Sequence, residues 1–318
     1  MKRLHEKEIA TLVTKHIDTD VLSITLVDEG NLNYVYKVRT TSGNYYCKQA
    51  LPKFRKTTES IEKLPLDINR LNHEIKAITL VGKLVKDNRF LLPKVIYFEK
   101  RNNVVILEDV ARKMKTIKQK FEKGVIDPLD ARLAGAFLGL QHSQSLKDTT
   151  QIRTKQENRQ FYRQVIYFRT ILSIEKSGLK EVLQKNFELP MGSSSVLING
   201  DFSPKQIYCG GERLGICDFE FVCRGDFHYD LGFFIAHYEL MMLIKPRLIK
   251  DAKRAIDEFI KAYSVKTKDA SEIEINNKML NYYIGTGILN RVYAVPRDKN
   301  ISDKILKEVN QRAKELLA

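Results

Sequence analysis

Apolar and polar positions divide the chain into two unlike parts. After a short amphipathic stretch at residues 5–17, β-prone runs dominate: Val21 to Val27, Tyr34-Val35-Tyr36-Lys37-Val38 and Tyr45-Tyr46-Cys47-Lys48-Gln49. Thr41-Ser42-Gly43-Asn44 separates the last two and reads as a hairpin turn. Residues 66–84 then show helical spacing through Ile68, Leu71, Ile75 and Ile78. Two further strands are predicted at residues 94–99 and 104–107, with the turn Lys100-Arg101-Asn102-Asn103 between them.

Beyond Val110 the period changes. A helix is predicted over residues 128–146, with Leu133, Ala136, Phe137 and Leu140 on one side. Others are predicted at 155–175 and 247–263, the latter with a broad apolar face of Leu248, Ala252, Ala255, Ile256, Phe259, Ile260 and Tyr263. Residues 195–221 interrupt this helical region with β-like and turn-rich sequence. The expected fold class is therefore α+β: a strand-rich part over residues 1–110, a mostly helical part over residues 111–318, and a cleft where they join near Glu108–Arg112.

Composition narrows the setting. Hydrophobic content is 43% and charged content 29%, as in an ordinary globular protein. No apolar run approaches the roughly 18 residues that cross a membrane. Glu6, Lys7 and Glu8 break the N-terminal segment, so no signal peptide is expected and the cytoplasm is the expected location. The four cysteines form no CxxC pair and are expected to be buried free thiols. Cys209, Cys217 and Cys223, with His228, match no common zinc spacing. The net charge of +15 comes mostly from scattered lysines. Lys53 to Lys56 and Arg112 to Lys120 show no interleaved aromatic stacking pattern, so a solvated basic surface is expected, with attraction of nucleotide phosphates as the alternative and nucleic-acid binding not favoured.

The candidate chemistry lies in the turn-rich interruption. Leu197-Ile198-Asn199-Gly200-Asp201 delivers an acid from an apolar strand into a loop. Seventeen residues later, Gly215-Ile216-Cys217-Asp218-Phe219-Glu220 does so again and adds a second acid. A hairpin between them would bring Asp201, Asp218 and Glu220 together. Clustered carboxylates repel unless a cation joins them, and Mg²⁺ takes such oxygen ligands together with substrate phosphates. The remaining carboxylate is then free to orient an attacking hydroxyl. In the N-terminal part, Gly30-Asn31-Leu32-Asn33 is able to bend over phosphates, because glycine tolerates unusual backbone angles. Lys48 lies within a strand and points either to solvent or to phosphates in the cleft. Glu74, on the following helix, is its candidate partner.

The order Gly-loop, Lys48, Glu74, junction, Asp201, Asp218 resembles that of the protein-kinase-like superfamily. Asn-Gly-Asp-Phe-Ser-Pro-Lys-Gln at 199–206 is similar to the His-Gly-Asp-x-x-x-x-Asn loop of its small-molecule branch, the aminoglycoside phosphotransferase and choline kinase group. Phe137-Leu138-Gly139-Leu140-Gln141-His142 and Tyr229-Asp230-Leu231-Gly232 resemble two further segments of that branch. In the second, the Asp braces the loop and does not react. Glu29 to Tyr36, Lys48-Gln49-Ala50-Leu51-Pro52, Leu64 to Arg70, Leu107 to Val110 and the Asp218/Glu220 pair resemble the 5-methylthioribose kinases in particular. Asn199 and Gln206 stand where the branch has His and Asn. Arg291 stands alone where the subfamily has two adjacent arginines on the sugar.

The resemblance implies a bilobal fold and transfer of the ATP γ-phosphoryl group to a hydroxyl of a small, sugar-like acceptor. Asp201 would take the hydroxyl proton. Asp218, Glu220 and Gln206 would hold Mg²⁺. Gly30, Asn31 and Asn33 would cover the phosphates, Lys48 braced by Glu74 would contact them, and Glu108 and Val110 would meet the adenine. Arg291 would touch the acceptor. The altered Asn199 and Gln206 leave a nucleotide-binding or scaffold module with weakened catalysis as the alternative. A homodimer is compatible with the sequence.

Overall fold

The computed structural model describes residues 1–28, 30, 32–56, 66–166, 177–179, 196–294 and 301–318. Helix α1 (Glu6–Ile17) leads into strands β1 (Val21–Leu26), β2 (Tyr34–Thr40) and β3 (Asn44–Gln49). Gly43 turns the β2–β3 hairpin with φ +148°, and Thr40 N–H donates to its carbonyl at 2.8 Å. After α2 (Arg70–Leu84) come β4 (Phe90–Leu91), β5 (Val95–Glu99) and β6 (Val104–Glu108). Strands β1, β2, β3, β6 and β5 form one antiparallel sheet in that spatial order.

Alternation along these strands sorts side chains between two faces. Cys47, Val104 and Ile106 join Leu4, Ile9 and Val13 of the α1 segment in one core. Val105 and Leu107 face the opposite way, into the larger core that contains Leu71 and Ile78 of α2. Lys48, next to Cys47, must therefore point away from α1 and towards α2.

The rest of the described chain is mainly helical. It comprises β7 (Lys115–Thr116), α3 (Ile117–Glu122), α4 (Pro128–Ser145), α5 (Lys155–Ile166), β8 (Val196–Ile198), β9 (Ile207–Gly210), β10 (Arg213–Ile216), β11 (Cys223–Gly225), α6 (Phe227–Ile244), α7 (Ile249–Thr267), α8 (Asn277–Leu289) and α9 (Asp303–Leu317). The part of the 155–175 helix beyond Ile166 lies outside the described residues. Strands β4, β10, β9 and β7 form a second sheet, and β11 pairs with β8. Strand β4 pairs in parallel with β10, so Phe90 and Leu91 belong to this second sheet although they precede residue 110. The α+β class and two-part order expected from the sequence hold, but the chain passes between the parts more often than a single junction would require.

Helices α4 and α7 meet almost backbone to backbone. A Cβ built on Gly135 would lie 2.1 Å from the Phe259 carbonyl oxygen, and one on Gly139 would lie 2.9 Å from that of Tyr263. Ala252, Ala255, Phe259 and Tyr263 fill the α7 side of this interface. Helix α4 also fixes β8. Gln141 Nε2 donates to Leu197 O at 2.7 Å, and Leu197 N–H donates to Ser145 Oγ at 2.8 Å. No helix among the described residues is long and apolar enough to cross a membrane. Three cysteines are buried as expected. Cys217 is instead partly exposed, because it forms part of the cleft wall one residue before Asp218.

Candidate active site

A cavity of about 680 Å³ opens between the two parts. Gly30, Asn33, Lys48, Glu74, Glu108, Val110, Asp201, Gln206, Asp218, Glu220 and Arg291 all line it. Of the residues singled out from sequence, Asn31 lies outside the described residues.

Lys48 is the centre of the charge cluster. Its ammonium lies 2.9 Å from Glu74 Oε2, 2.7 Å from Asp218 Oδ1 and 3.7 Å from Glu220 Oε2. Burial alone would lower its pKa, but Asp218, Glu220 and Glu74 outweigh it and hold the amine charged, well above its ordinary value. Burial raises the Glu74 carboxyl, against the pull of Lys48. It pushes Glu220 up to about 7, again against Lys48 and with Asp218 and Glu74 adding to the rise. Carboxylate oxygens of Glu74, Asp218 and Glu220 come within 4.8 Å of one another. This donor set suits a small hard dication. Asp218 sits at φ +66°, a left-handed conformation that costs a non-glycine residue about 1 kcal/mol or more. The neighbouring Phe219 N–H donates to Glu74 Oε1 at 3.2 Å, which ties the strained turn to α2.

The Asp201 loop is held from below. It leaves β8 at Asn199, and buried Asp230 at the start of α6 accepts from Asn199 N–H at 2.6 Å and Gly200 N–H at 2.9 Å. His142 Nε2 lies 3.3 Å from Asp230 Oδ2, and its Nδ1 lies 3.0 Å from the Tyr263 hydroxyl. Gly200 is needed here: φ is +77°, and a Cβ would approach Phe221 O to 2.5 Å. Gln206 Nε2 donates to Asp218 Oδ2 at 2.6 Å and reaches Asp201 Oδ2 at 3.4 Å. The two acid-bearing loops are thus cross-linked by one amide.

Other contacts in the site follow from no local sequence pattern. The Asn33 side chain bridges the parts: its Nδ2 donates to Glu220 Oε2 and its Oδ1 accepts from Arg70 Nε, both at 2.7 Å. The Asn33 side chain is thereby committed to Glu220 and Arg70. Arg70 also donates to Asp67 O and Leu51 O at 3.0 Å each. Buried Arg153 donates to Val222 O at 2.6 Å and lies with its guanidinium 3.7 Å from the Phe161 ring centroid. Its sequence surroundings carry no motif. Beside Phe233, which lines the cavity, His237 Nδ1 donates to Phe233 O at 2.8 Å. Burial and then the Arg291 charge drive its pKa down to about 3, so it is neutral.

No family model matches the chain. It is 27% identical over 261 residues to the methylthioribose kinase of Bacillus mycoides (strain KBAB4), covering 72% of this chain and 62% of that protein's length. Among solved structures, it is similar to a choline kinase from Cryptosporidium parvum Iowa II, with a TM-score of 0.59, 12% identity, and coverage of 98% and 94% of the two chains. It is also similar to a spectinomycin phosphotransferase in complex with ADP and spectinomycin, with a TM-score of 0.58, 15% identity, and coverage of 99% and 100%. By fold the chain is similar to these two kinase structures, and by sequence it is similar to methylthioribose kinases while spanning less than two thirds of the length of the Bacillus mycoides relative.

Proposed function

We propose that the protein transfers the γ-phosphoryl group of ATP to a hydroxyl of a small, polyhydroxylated acceptor such as 5-methylthioribose. The observation that carries this reading is the convergence of Lys48, Asp218, Glu220 and Asp201 in one cavity, with Gln206 joining the last acid to the metal-side acid. The Bacillus mycoides relative, a methylthioribose kinase, supports the choice of acceptor.

In this mechanism Asp201 accepts the acceptor's hydroxyl proton as its oxygen bonds to the γ-phosphorus. The bond from that phosphorus to the bridging oxygen breaks, and ADP leaves with the electron pair. Lys48 meets the α- and β-phosphates, with Glu74 holding its ammonium in place. Asp218 and Glu220, with the Gln206 carbonyl after an amide rotation, would hold Mg²⁺, which supplies charge neutralisation for the phosphates when bound. Glu108 and Val110, at the end of β6, offer backbone groups to the adenine. Arg291 and Lys205 line the cavity with Asp201, so a neutral or anionic acceptor suits this end better than a cationic one.

The test is turnover of ATP–Mg²⁺ against a panel of sugars, amino alcohols and aminoglycosides that includes 5-methylthioribose. Phosphorylation of a neutral sugar is expected. Asp201→Ala should lower kcat by about 10³-fold or more, with ATP affinity kept. Nucleotide binding without transfer to any acceptor would overturn the proposal in favour of a binding module.

A further inference from the structure

We infer that Lys205 is a second catalytic cation, one that contacts the γ-phosphoryl group on the side from which the acceptor attacks. This inference rests on the phosphotransfer reading above and gives a catalytic role to a residue that the reading used only for the charge of the acceptor end.

The argument starts from where the positive charge lies. Lys48 is committed to Glu74, Asp218 and Glu220 at the inner end of the cavity. Those carboxylates, with Gln206, form the metal-suited end. On the acceptor side stands Asp201, a carboxylate. A phosphoryl group in flight carries its charge on three equatorial oxygens, and a bare carboxylate beside it would raise the barrier. Lys205 Nζ lies 3.3 Å from Asp201 Oδ2, four residues along the same loop. A hydroxyl poised on Asp201 sits about 3 Å from it and about 3 Å from the phosphorus. The Lys205 ammonium therefore lies within one side-chain swing of the equatorial oxygens.

The backbone around Lys205 is anchored where such a role requires it. Pro204 O accepts from Lys118 N–H at 3.0 Å, and Gln206 N–H donates to Ser203 O at 2.9 Å. The Lys205 side chain is 38% exposed and that of Asp201 is 5% exposed. The lysine thus has room to leave the carboxylate for a phosphate, while Asp201 stays fixed. In the transfer step the bonds made and broken are those already given. Lys205 adds charge stabilisation and exchanges no proton.

Two readouts separate this role from a merely structural one. In turnover, Lys205→Met should lower kcat by about 10²-fold with the ATP KM changed less than about threefold, and Lys205→Arg should recover at least tenfold of the loss. Arg291→Met should instead raise the acceptor KM. In binding, ADP with Mg²⁺ and aluminium fluoride should bind Lys205→Met about 10²-fold more weakly than wild type, while plain ADP–Mg²⁺ binds both alike. The second measurement needs no acceptor, so it reads Lys205 even if no compound in the panel is phosphorylated. Equal affinity of the fluoride complex for the two proteins overturns the inference, as does failure of wild type to bind that complex while it binds ADP. So does a Lys205→Met kcat within threefold of wild type.

Discussion

Replacing Asp230 should damage both stability and turnover, by separable amounts. Its carboxylate is fully buried and accepts two backbone N–H groups, at 2.6 and 2.9 Å, from the residues just before Asp201. Asp230→Asn keeps the shape, but its amide nitrogen must face one of those donors. One buried N–H is then left without an acceptor, at a cost of about 1–3 kcal/mol, and one charge-assisted bond becomes neutral. The sum is roughly 3 kcal/mol, a fall in Tm of about 4–5 °C for a chain of this size. Asp230→Ala strips both acceptors and should cost more. The same change loosens the peptide planes that aim Asp201. A displacement of about 1 Å in a catalytic group is worth around 10²-fold in rate, so kcat measured well below the Tm should fall by that order. The ATP KM should change little, since Lys48 and its partners do not touch Asp230. Thermal melts and steady-state kinetics on Asp230→Asn at one temperature decide the matter. A Tm within 1 °C of wild type refutes the bonding account. A lowered Tm with unchanged kcat refutes the link from brace to catalysis.

Two further outcomes follow from the charge cluster. Lys48→Met leaves three carboxylates without their shared cation, which should cost about 3 kcal/mol in metal-free protein. Added Mg²⁺ should then raise the Tm of the variant more than that of wild type, and equal rises would contradict the arrangement. Glu220, lifted to about 7 by burial, keeps its proton in the folded state over a pH range in which the unfolded chain has lost it. Metal-free stability should therefore fall as pH rises from about 4.5 through 7, while Mg²⁺ affinity rises over the upper part of that range. Titration calorimetry at pH 6 and 8 checks the second half, and a flat affinity would contradict it.

What the sequence revealed followed the strength of each local pattern. The β2–β3 hairpin was legible because Gly43 marks the turn. The α7 face was legible because Ala252, Ala255, Phe259 and Tyr263 recur at helical spacing on an otherwise charged helix. Helix α6 gave no such signal. It is buried around most of its circumference, so Phe227 to Ile244 is apolar without a period. Helix α9 does carry one, in Val309, Ala313 and Leu317. In the site, acids at strand ends were legible because unpaired carboxylates in apolar company need a reason. The struts were not. Asn33 meets Glu220, and Arg70 meets Asn33, only through tertiary packing, and nothing in the 37-residue spacing of Asn33 and Arg70 announces the bond between them.

The placement of β4 sets how the two parts can move. Phe90 and Leu91 pair with β10 in the second sheet, whereas β5 and β6 on the next hairpin return to the first. The returning segments run side by side, with Glu108 N–H bonded to Lys94 O at 2.9 Å. Leu91 and Val95 lie only four residues apart but in different sheets, so the segment 92–94 is a short tie between them. A change in cavity width must therefore be absorbed in such short connections and not within the sheets.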